Sequence, residues 1–506
     1  MASVVAVDAG TTGVRSLVVG EDGSVRDLAY RELTQHFPRP GWVEHDPNEI
    51  WGAVRATLAE VCGRLEGAVA AVGIANQRET AVAWDRRTGR PHGPAIVWQD
   101  RRTAAVCDEL RDAGHLPLVR ARTGLVLDPY FSATKWAWML AEGGLAGRAG
   151  SADLALGTVD SWVLWQLTGG PDGGVFATDP SNASRTLLFD IGRLEWSDEL
   201  CELFGVNRRD LAEVRPSCGR FGTVDAEATG VPALSGVAVS GVAGDQQAAL
   251  FGQCCFAPGM AKVTYGTGSF VLAQAGGACP PPPDGLVATV AWDLGAHGGP
   301  GRPPVAYALE GSTFASGAAI QWLRDGLGII GRAEDLGPLA ASVADSGGVT
   351  VVPAFTGLGS PWWDPRARGT VTGITRGAGR AQLARAVVEA IAFQVRDMVD
   401  AMAAANGRTL VELRADGGAA AMDLLLQLQA DQVRARVARP RSVESTALGA
   451  ATLAGLAEGV WGTLDELAGL WRVDAERLPQ LDRTLADLAY AGWLRAVERS
   501  RGWAGG

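Results

Sequence analysis

Asp245-Gln246-Gln247 lies between the small residues Ser240-Gly241-Val242-Ala243-Gly244 and the apolar run Ala248-Ala249-Leu250-Phe251. Small neighbours leave room for a ligand, and a carboxylate at a cleft can accept the proton of an attacking hydroxyl. The same Asp is a favoured helix N-cap, and the two roles are compatible. Arg78-Glu79 follows a buried-looking run at 69–75. Strand ends in open α/β sheets bind ligands, and a guanidinium beside a carboxylate offers the donors and acceptors a small polyol needs. The plainer alternative is a surface ion pair worth at most ~1 kcal/mol. Asp8 ends an apolar run before a glycine turn. It could face the metal of a metal–nucleotide complex or make a local turn hydrogen bond. Trp98, Tyr130 and Phe270 read by default as core aromatics.

Two stretches share one design. Val4-Val5-Ala6-Val7-Asp8-Ala9-Gly10-Thr11-Thr12-Gly13 leads into a second β-rich run, as does Ala261-Lys262-Val263-Thr264-Tyr265-Gly266-Thr267-Gly268. Backbone N–H groups and hydroxyls crowded at such turns make an anion-binding concavity. Two copies suggest two similar domains holding a polyphosphate between them.

The elements that must position these groups alternate between strands and helices, which indicates α/β domains. The first ~30 residues read as a meander with a Glu21-Asp22-Gly23 turn. Asp46-Pro47-Asn48-Glu49 resembles a capping box opening a helix to about residue 65. Strands are expected at 69–75, 80–84 and 95–98. In the second half, apolar residues at three- and four-residue spacing predict a helix over 380–406, stopped by Asn406-Gly407. A strand at 410–415 then leads through Asp416-Gly417-Gly418 into a helical segment at 419–432; a Gly pair there lets a ligand approach a helix start. The Pro/Gly-rich segment 276–304 reads as an extended surface hairpin or lid edge, and 247–260 as the hinge.

A chain of 506 residues favours two or three domains, and 47% hydrophobic with 20% charged residues is ordinary globular composition. The net charge of −11 argues against a nucleic-acid partner. No secretory signal or membrane span is expected. Seven cysteines without CxxC spacing fit reduced thiols in a cytosol rather than disulfides or a zinc site. The seventeen tryptophans read mostly as core.

Taken in order, the motifs resemble the FGGY carbohydrate kinases over nearly the whole chain, from Val4 to about Trp493. The resemblance rests on Asp8-Ala9-Gly10-Thr11-Thr12, Pro40-Gly41-Trp42-Val43-Glu44-His45-Asp46-Pro47, Asn76-Gln77-Arg78-Glu79-Thr80, Asp128-Pro129-Tyr130-Phe131-Ser132 and Gly157-Thr158-Val159-Asp160. It continues through Asn182-Ala183-Ser184-Arg185-Thr186, Gly244-Asp245-Gln246-Gln247, Tyr265-Gly266-Thr267-Gly268 and Pro353-Ala354-Phe355-Thr356-Gly357. It implies an α/β fold of two actin/hexokinase/Hsp70-like (ribonuclease H-like) domains around a central cleft, at 1–247 and 248–506. It also implies a cytoplasmic enzyme, a homodimer or homotetramer, that transfers the γ-phosphoryl group of ATP, with Mg²⁺, to glycerol. The alternatives are a kinase for another small polyol or ketose, or a non-catalytic nucleotide-dependent sensor on the same fold.

Matching positions take their roles from the resemblance. Arg78, Glu79, Tyr130, Asp245 and Gln246 would hold the glycerol hydroxyls, with Trp98 and Phe270 on its carbon side. Asp245 would be the general base, and Asp8, with Asp245 as a second candidate, would place Mg²⁺. Thr11, Thr12, Gly13, Arg15, Gly266 and Thr267 would face the phosphates. Gly317, Gln321, Gly417 and Gly418 would lie near the nucleoside. The sequence departs from the family pattern at several points. Gly13 replaces a Ser, keeping a backbone N–H for phosphate but losing a hydroxyl. Met422 replaces an Asn near the adenine, and the loss of that amide is expected to weaken ATP binding or relax base choice. Residues 226–232 lack the Arg used for fructose 1,6-bisphosphate inhibition and no His serves phospho-histidine control, so neither control is expected. Ala141 breaks the signature around Lys135 to Glu142 at an expected helix surface.

Overall fold

The structure, a computed structural model, describes residues 2–299 and 301–505. Pro300, inside the Pro/Gly-rich segment, and the two terminal residues lie outside the described residues.

Two sheets repeat one topology. The first runs in the order 218–223, 238–244, 69–76, 3–9, 13–20, 25–32. Its strand Ser3–Ala9 pairs antiparallel with Gly13–Gly20 and parallel with Val69–Asn76. In the second sheet Met260–Tyr265 pairs antiparallel with Ser269–Gly276 and parallel with Glu412–Asp416. From that pair outward the sheets match strand for strand: an antiparallel third strand on one side, a parallel and then an antiparallel strand on the other. Val287–Asp293 is an extra edge strand of the second sheet. Each Gly/Thr turn therefore joins the first two strands of its sheet. The turns even close alike, with Gly10 N–H donating to the Gly13 carbonyl at 3.0 Å and Gly266 N–H to that of Gly268 at 2.8 Å.

Strand Ser3–Ala9 is buried throughout because both its faces are covered. Val5 and Val7 join a core with helix Pro47–Gly63 and helix Val159–Leu167, while Val4 and Ala6 point to helix Ser445–Ala457. This is the period-two consequence of the pleat. The predicted meander, the strand at 69–75 and the helix Arg380–Asn406 are observed, the last closed by Gly407 at φ 66°. Helix Pro47–Gly63 stops two residues early, and its capping box is half formed. Asp46 accepts from the Asn48 N–H at 2.8 Å, but the Glu49 carboxylate turns to the Thr34 amide and hydroxyl, both at 2.9 Å.

The Pro/Gly-rich segment is not the surface hairpin or lid edge expected. Its middle, Val287–Asp293, is buried and paired with Val305–Thr313, because Val287, Ala288, Val290 and Ala291 supply apolar side chains to cores on both faces. All seven cysteines are free thiols, six of them buried. Ala141 is exposed at the end of helix Ser132–Ala141. Among the described residues no helix is long and apolar enough to cross a membrane.

The two halves meet through a pair of helices in equivalent places. Asp245–Gly252 follows strand Ala238–Gly244, and Ser445–Ala457 follows strand Arg436–Pro440. Their approach is at backbone distance. A Cβ on Gly449 would lie 1.8 Å from the Ala248 carbonyl oxygen, and one on Gly252 would lie 2.1 Å from that of Ser445. Because the obstacle is backbone rather than a movable side chain, Gly449→Ala is expected to destabilise the protein by roughly 1–3 kcal/mol. A lower denaturant midpoint with an unchanged slope checks this.

Candidate active site

Arg78 and Glu79 sit just past the end of strand Val69–Asn76 and are not a surface pair. Their side chains are 2% and 1% exposed, and they lie 3.8 Å apart. A buried charge is tolerated only when paired and hydrogen-bonded, so each has a partner the sequence did not announce. Glu310 grips Arg78 with both oxygens, at 2.7 Å from Nη1 and 3.0 Å from Nη2. Arg185 Nε donates to Glu79 at 2.6 Å, and its Nη2 reaches the same Glu310 at 3.2 Å. Burial would push the Glu310 carboxyl up, but the Arg185 and Arg78 guanidiniums outweigh it and hold the pKa at about 2. Glu79 adopts a left-handed backbone, φ 59°, a strained state that such surrounding contacts can maintain.

Around this charge ring stand the other acceptor-side candidates. Arg78 Nη2 donates to the Tyr130 hydroxyl at 3.3 Å, and Nη1 to Gln247 Oε1 at 3.2 Å. Tyr130 is held from behind. The buried Lys135 ammonium donates to the carbonyls of Pro129, Tyr130 and Phe131 at 2.7, 2.6 and 2.9 Å. Trp98 meets Tyr130 edge to face at 5.5 Å, and its indole N–H donates to the Thr11 hydroxyl at 2.9 Å. That bond ties Trp98 to the first Gly/Thr turn. Trp98, Tyr130 and Phe270 are all half-buried rather than core. Phe270 lies on strand Ser269–Gly276 opposite Ser312, and no ring contact joins it to the other two among the described residues.

Asp245 is the first residue of its helix, with Gly244 in the cap position, so the expected N-cap role is not the one observed. Its Oδ1 accepts from the Gln246 N–H at 2.7 Å and lies 3.2 Å from Arg78 Nε. Oδ2 accepts no hydrogen bond among the described residues, and the side chain is 29% exposed. Burial raises its pKa, opposed by Arg78 and Lys262. Gln246 is not free: the buried Lys262 ammonium donates to its Oε1, and also to Thr264 Oγ1 at 2.9 Å.

At the first Gly/Thr turn, Asp8 is buried, which raises its carboxyl to about 7 despite Arg15 nearby; Asp245 and Glu444 push it further up. Arg15 is drawn off by Glu444 at 2.8 Å and stands 3.9 Å from Asp8. Gly13 lies under the ring of Tyr30, where a Cβ would sit 2.4 Å from the phenol oxygen. Thr12 is exposed at the turn. Gly266, Thr267, Gly317, Gln321 and Gly418 line one cavity of about 750 Å³, which Met422 also borders. Gly417, at φ 86°, precedes this wall. A Cβ there would meet the Tyr265 carbonyl oxygen at 2.5 Å.

Glu310, Arg185, Lys262 and Glu444 carry this site yet no role was read for them from sequence. Two left a trace: Glu310 and Lys262 are the only charged residues of strands Val305–Thr313 and Met260–Tyr265.

A cavity of nucleotide size beside one Gly/Thr turn, and a desolvated charge ring with an open carboxylate oxygen beside the other sheet, define a two-domain phosphotransferase of the actin/hexokinase type. Comparison with known proteins agrees. The N-terminal domain of the FGGY family of carbohydrate kinases matches residues 3–252 and its C-terminal domain residues 261–458. The chain belongs to this family. It is 53% identical to a glycerol kinase of Trichlorobacter lovleyi over 100% of both chains, and 52% identical to one of Aromatoleum aromaticum over 99% of both. It is also similar to the crystal structure of Plasmodium falciparum glycerol kinase with ADP. There the TM-score is 0.93 at 32% identity, covering 99% of this chain and 98% of that one.

Proposed function

We propose that this chain transfers the γ-phosphoryl group of ATP to glycerol, giving sn-glycerol 3-phosphate and ADP. The observation that carries this is identity of about half to glycerol kinases over 99–100% of both chains. The acceptor side fits a small polyol. Arg78, Glu79, Tyr130 and Gln246 hold its hydroxyls, and Trp98 and Phe270 cover its carbons. One glycerol hydroxyl gives its proton to Asp245 Oδ2 as its oxygen bonds to the γ-phosphorus. The bond from that phosphorus to the bridging oxygen breaks, and the electron pair leaves on ADP. Such transfer needs positioning and charge stabilisation more than covalent help. The halves, 1–247 and 248–506, close over the substrates and exclude the water that would compete for the phosphoryl group. Thr11, Thr12, Gly13, Arg15, Gly266 and Thr267 face the phosphates, and Gly317, Gln321, Gly417 and Gly418 the nucleoside.

The donor set fits a divalent cation. The Asp245 charge adds to the upward push on the Asp8 carboxyl, which a cation beside the two carboxylates would relieve. Mg²⁺ held there, by Asp8 and in part by Asp245, would neutralise charge developing on the phosphates. Because the Asp8 proton competes with the cation, affinity for Mg-ADP is expected to rise by up to about tenfold per pH unit below pH 7 and to level off above it. Isothermal titration from pH 6 to 8 measures this; Asp8→Asn, or removal of Mg²⁺, should flatten the profile.

Coupled ADP release over a panel of polyols and ketoses tests the assignment. Glycerol should give the highest kcat/KM. A ketose preference favours another kinase of the family, and no acceptor-dependent ADP release favours a sensor. Retention of both Asp8 and Asp245 speaks against the sensor.

A further inference from the structure

The charge ring has a member outside the acceptor set whose position bears directly on the base. Arg78 lies between two carboxylates, Asp245 and Glu310, and can offer its paired N–H groups to only one of them. A guanidinium binds a carboxylate best through two parallel N–H bonds from one edge. Here that edge, Nη1 and Nη2, is taken by Glu310 at 2.7 and 3.0 Å. Asp245 is left with a single 3.2 Å contact at Nε. Arg185 Nη2 also reaches Glu310 Oε1, at 3.2 Å, longer than either Arg78 contact, so the Arg78 fork is the main hold on Glu310. Arg185 is itself anchored to Glu79 at 2.6 Å and is fully buried. Glu310 also belongs to the second sheet, on strand Val305–Thr313, whereas Arg78 and Glu79 follow a strand of the first.

We propose that Glu310 is a positioning residue for this transfer: by occupying the forked edge of Arg78 it stops that arginine from capturing Asp245, and so keeps the base free for the acceptor proton. Arg185 has a separate task, holding Glu79 in place for the acceptor hydroxyls. The inference rests on the function proposed above. Without the charge of Glu310, the nearest carboxylate to Arg78 is Asp245, closer than Glu79 at 3.8 Å. The forked edge would then rotate onto the base and occupy its open oxygen.

The experiment compares Glu310→Gln with Arg185→Gln by steady-state ADP release, varying glycerol at saturating Mg-ATP. Glu310→Gln is expected to lower kcat about 30-fold with the glycerol KM within about threefold of wild type. Arg185→Gln is expected to raise the glycerol KM about tenfold with kcat within about threefold. A structural role alone would lower the active fraction of both variants, reducing apparent kcat in each and moving neither KM. That pattern overturns the proposal, as does a Glu310→Gln enzyme that changes only in KM or behaves as wild type. Should Glu310→Gln fail to accumulate, Glu310→Gln/Arg185→Gln removes one buried charge of each sign. It should show the kcat loss and the KM rise together, and a KM rise alone overturns the proposal. A wild-type enzyme without glycerol-dependent ADP release would overturn the underlying function, whereas a failure confined to the variants overturns only the role of Glu310.

Discussion

Asp245→Asn is expected to bind glycerol nearly normally while losing about 10²–10⁴ of its turnover, the usual share of a general base. The amide keeps the volume of the carboxylate, and its oxygen can still take the Gln246 N–H that Oδ1 accepts at 2.7 Å. What disappears is a proton acceptor at the oxygen that has no other partner. Lowered kcat with little change in KM would mark an interaction made only in the transition state. Glycerol-induced thermal stabilisation checks binding, and coupled ADP release checks turnover. Near-normal turnover would remove Asp245 from the base role.

Arg78→Met is expected to have the broadest effect. Arg78 compensates Glu310 together with Arg185 and Asp245 together with Lys262, and it also holds Tyr130 and Gln247. Breaking a buried pair typically costs about 3–5 kcal/mol, and Glu310, left with Arg185 as its remaining ion-pair partner, puts the expected loss at the lower end. Glycerol turnover should vanish with it. Adding Glu310→Gln removes the stranded charge, so Arg78→Met/Glu310→Gln should regain part of the lost stability in chemical denaturation and none of the turnover. If the double variant is no more stable than the single one, the loss comes from packing rather than from charge.

Much of the architecture was legible because its determinants are local. The two Gly/Thr turns, the buried strand at 69–76 and the helix Arg380–Asn406 follow from glycine conformations and from two- and 3.6-residue periodicity. Misreadings occurred where distant chain intervened. Glu49 abandoned its capping box for Thr34 on the neighbouring strand exit. The Val287–Asp293 strand was hidden by flanking Pro and Gly, although its own apolar residues suit a sheet edge. The sequence marks Gly13 only as standing where relatives have Ser; the ring of Tyr30, on the next strand and adjacent in the sheet, fills the space a side chain there would need.

By itself the sequence determined the two-fold design, the two Gly/Thr turns and the motifs whose family resemblance proposes Arg78, Glu79, Tyr130 and Asp245 as acceptor residues. These are matters of residue type and short spacing, which adjacent letters record. Only the tertiary structure decided the electrostatic state of those residues. Arg78 and Glu310 are 232 positions apart, and Glu79 and Arg185 are 106 apart. The first pair joins the two sheets, and the second joins a strand exit to the segment after helix Pro180–Ala183 within the first half. The strength of each charge is set by its burial and by the partner it meets there, and neither is encoded in its neighbours along the chain.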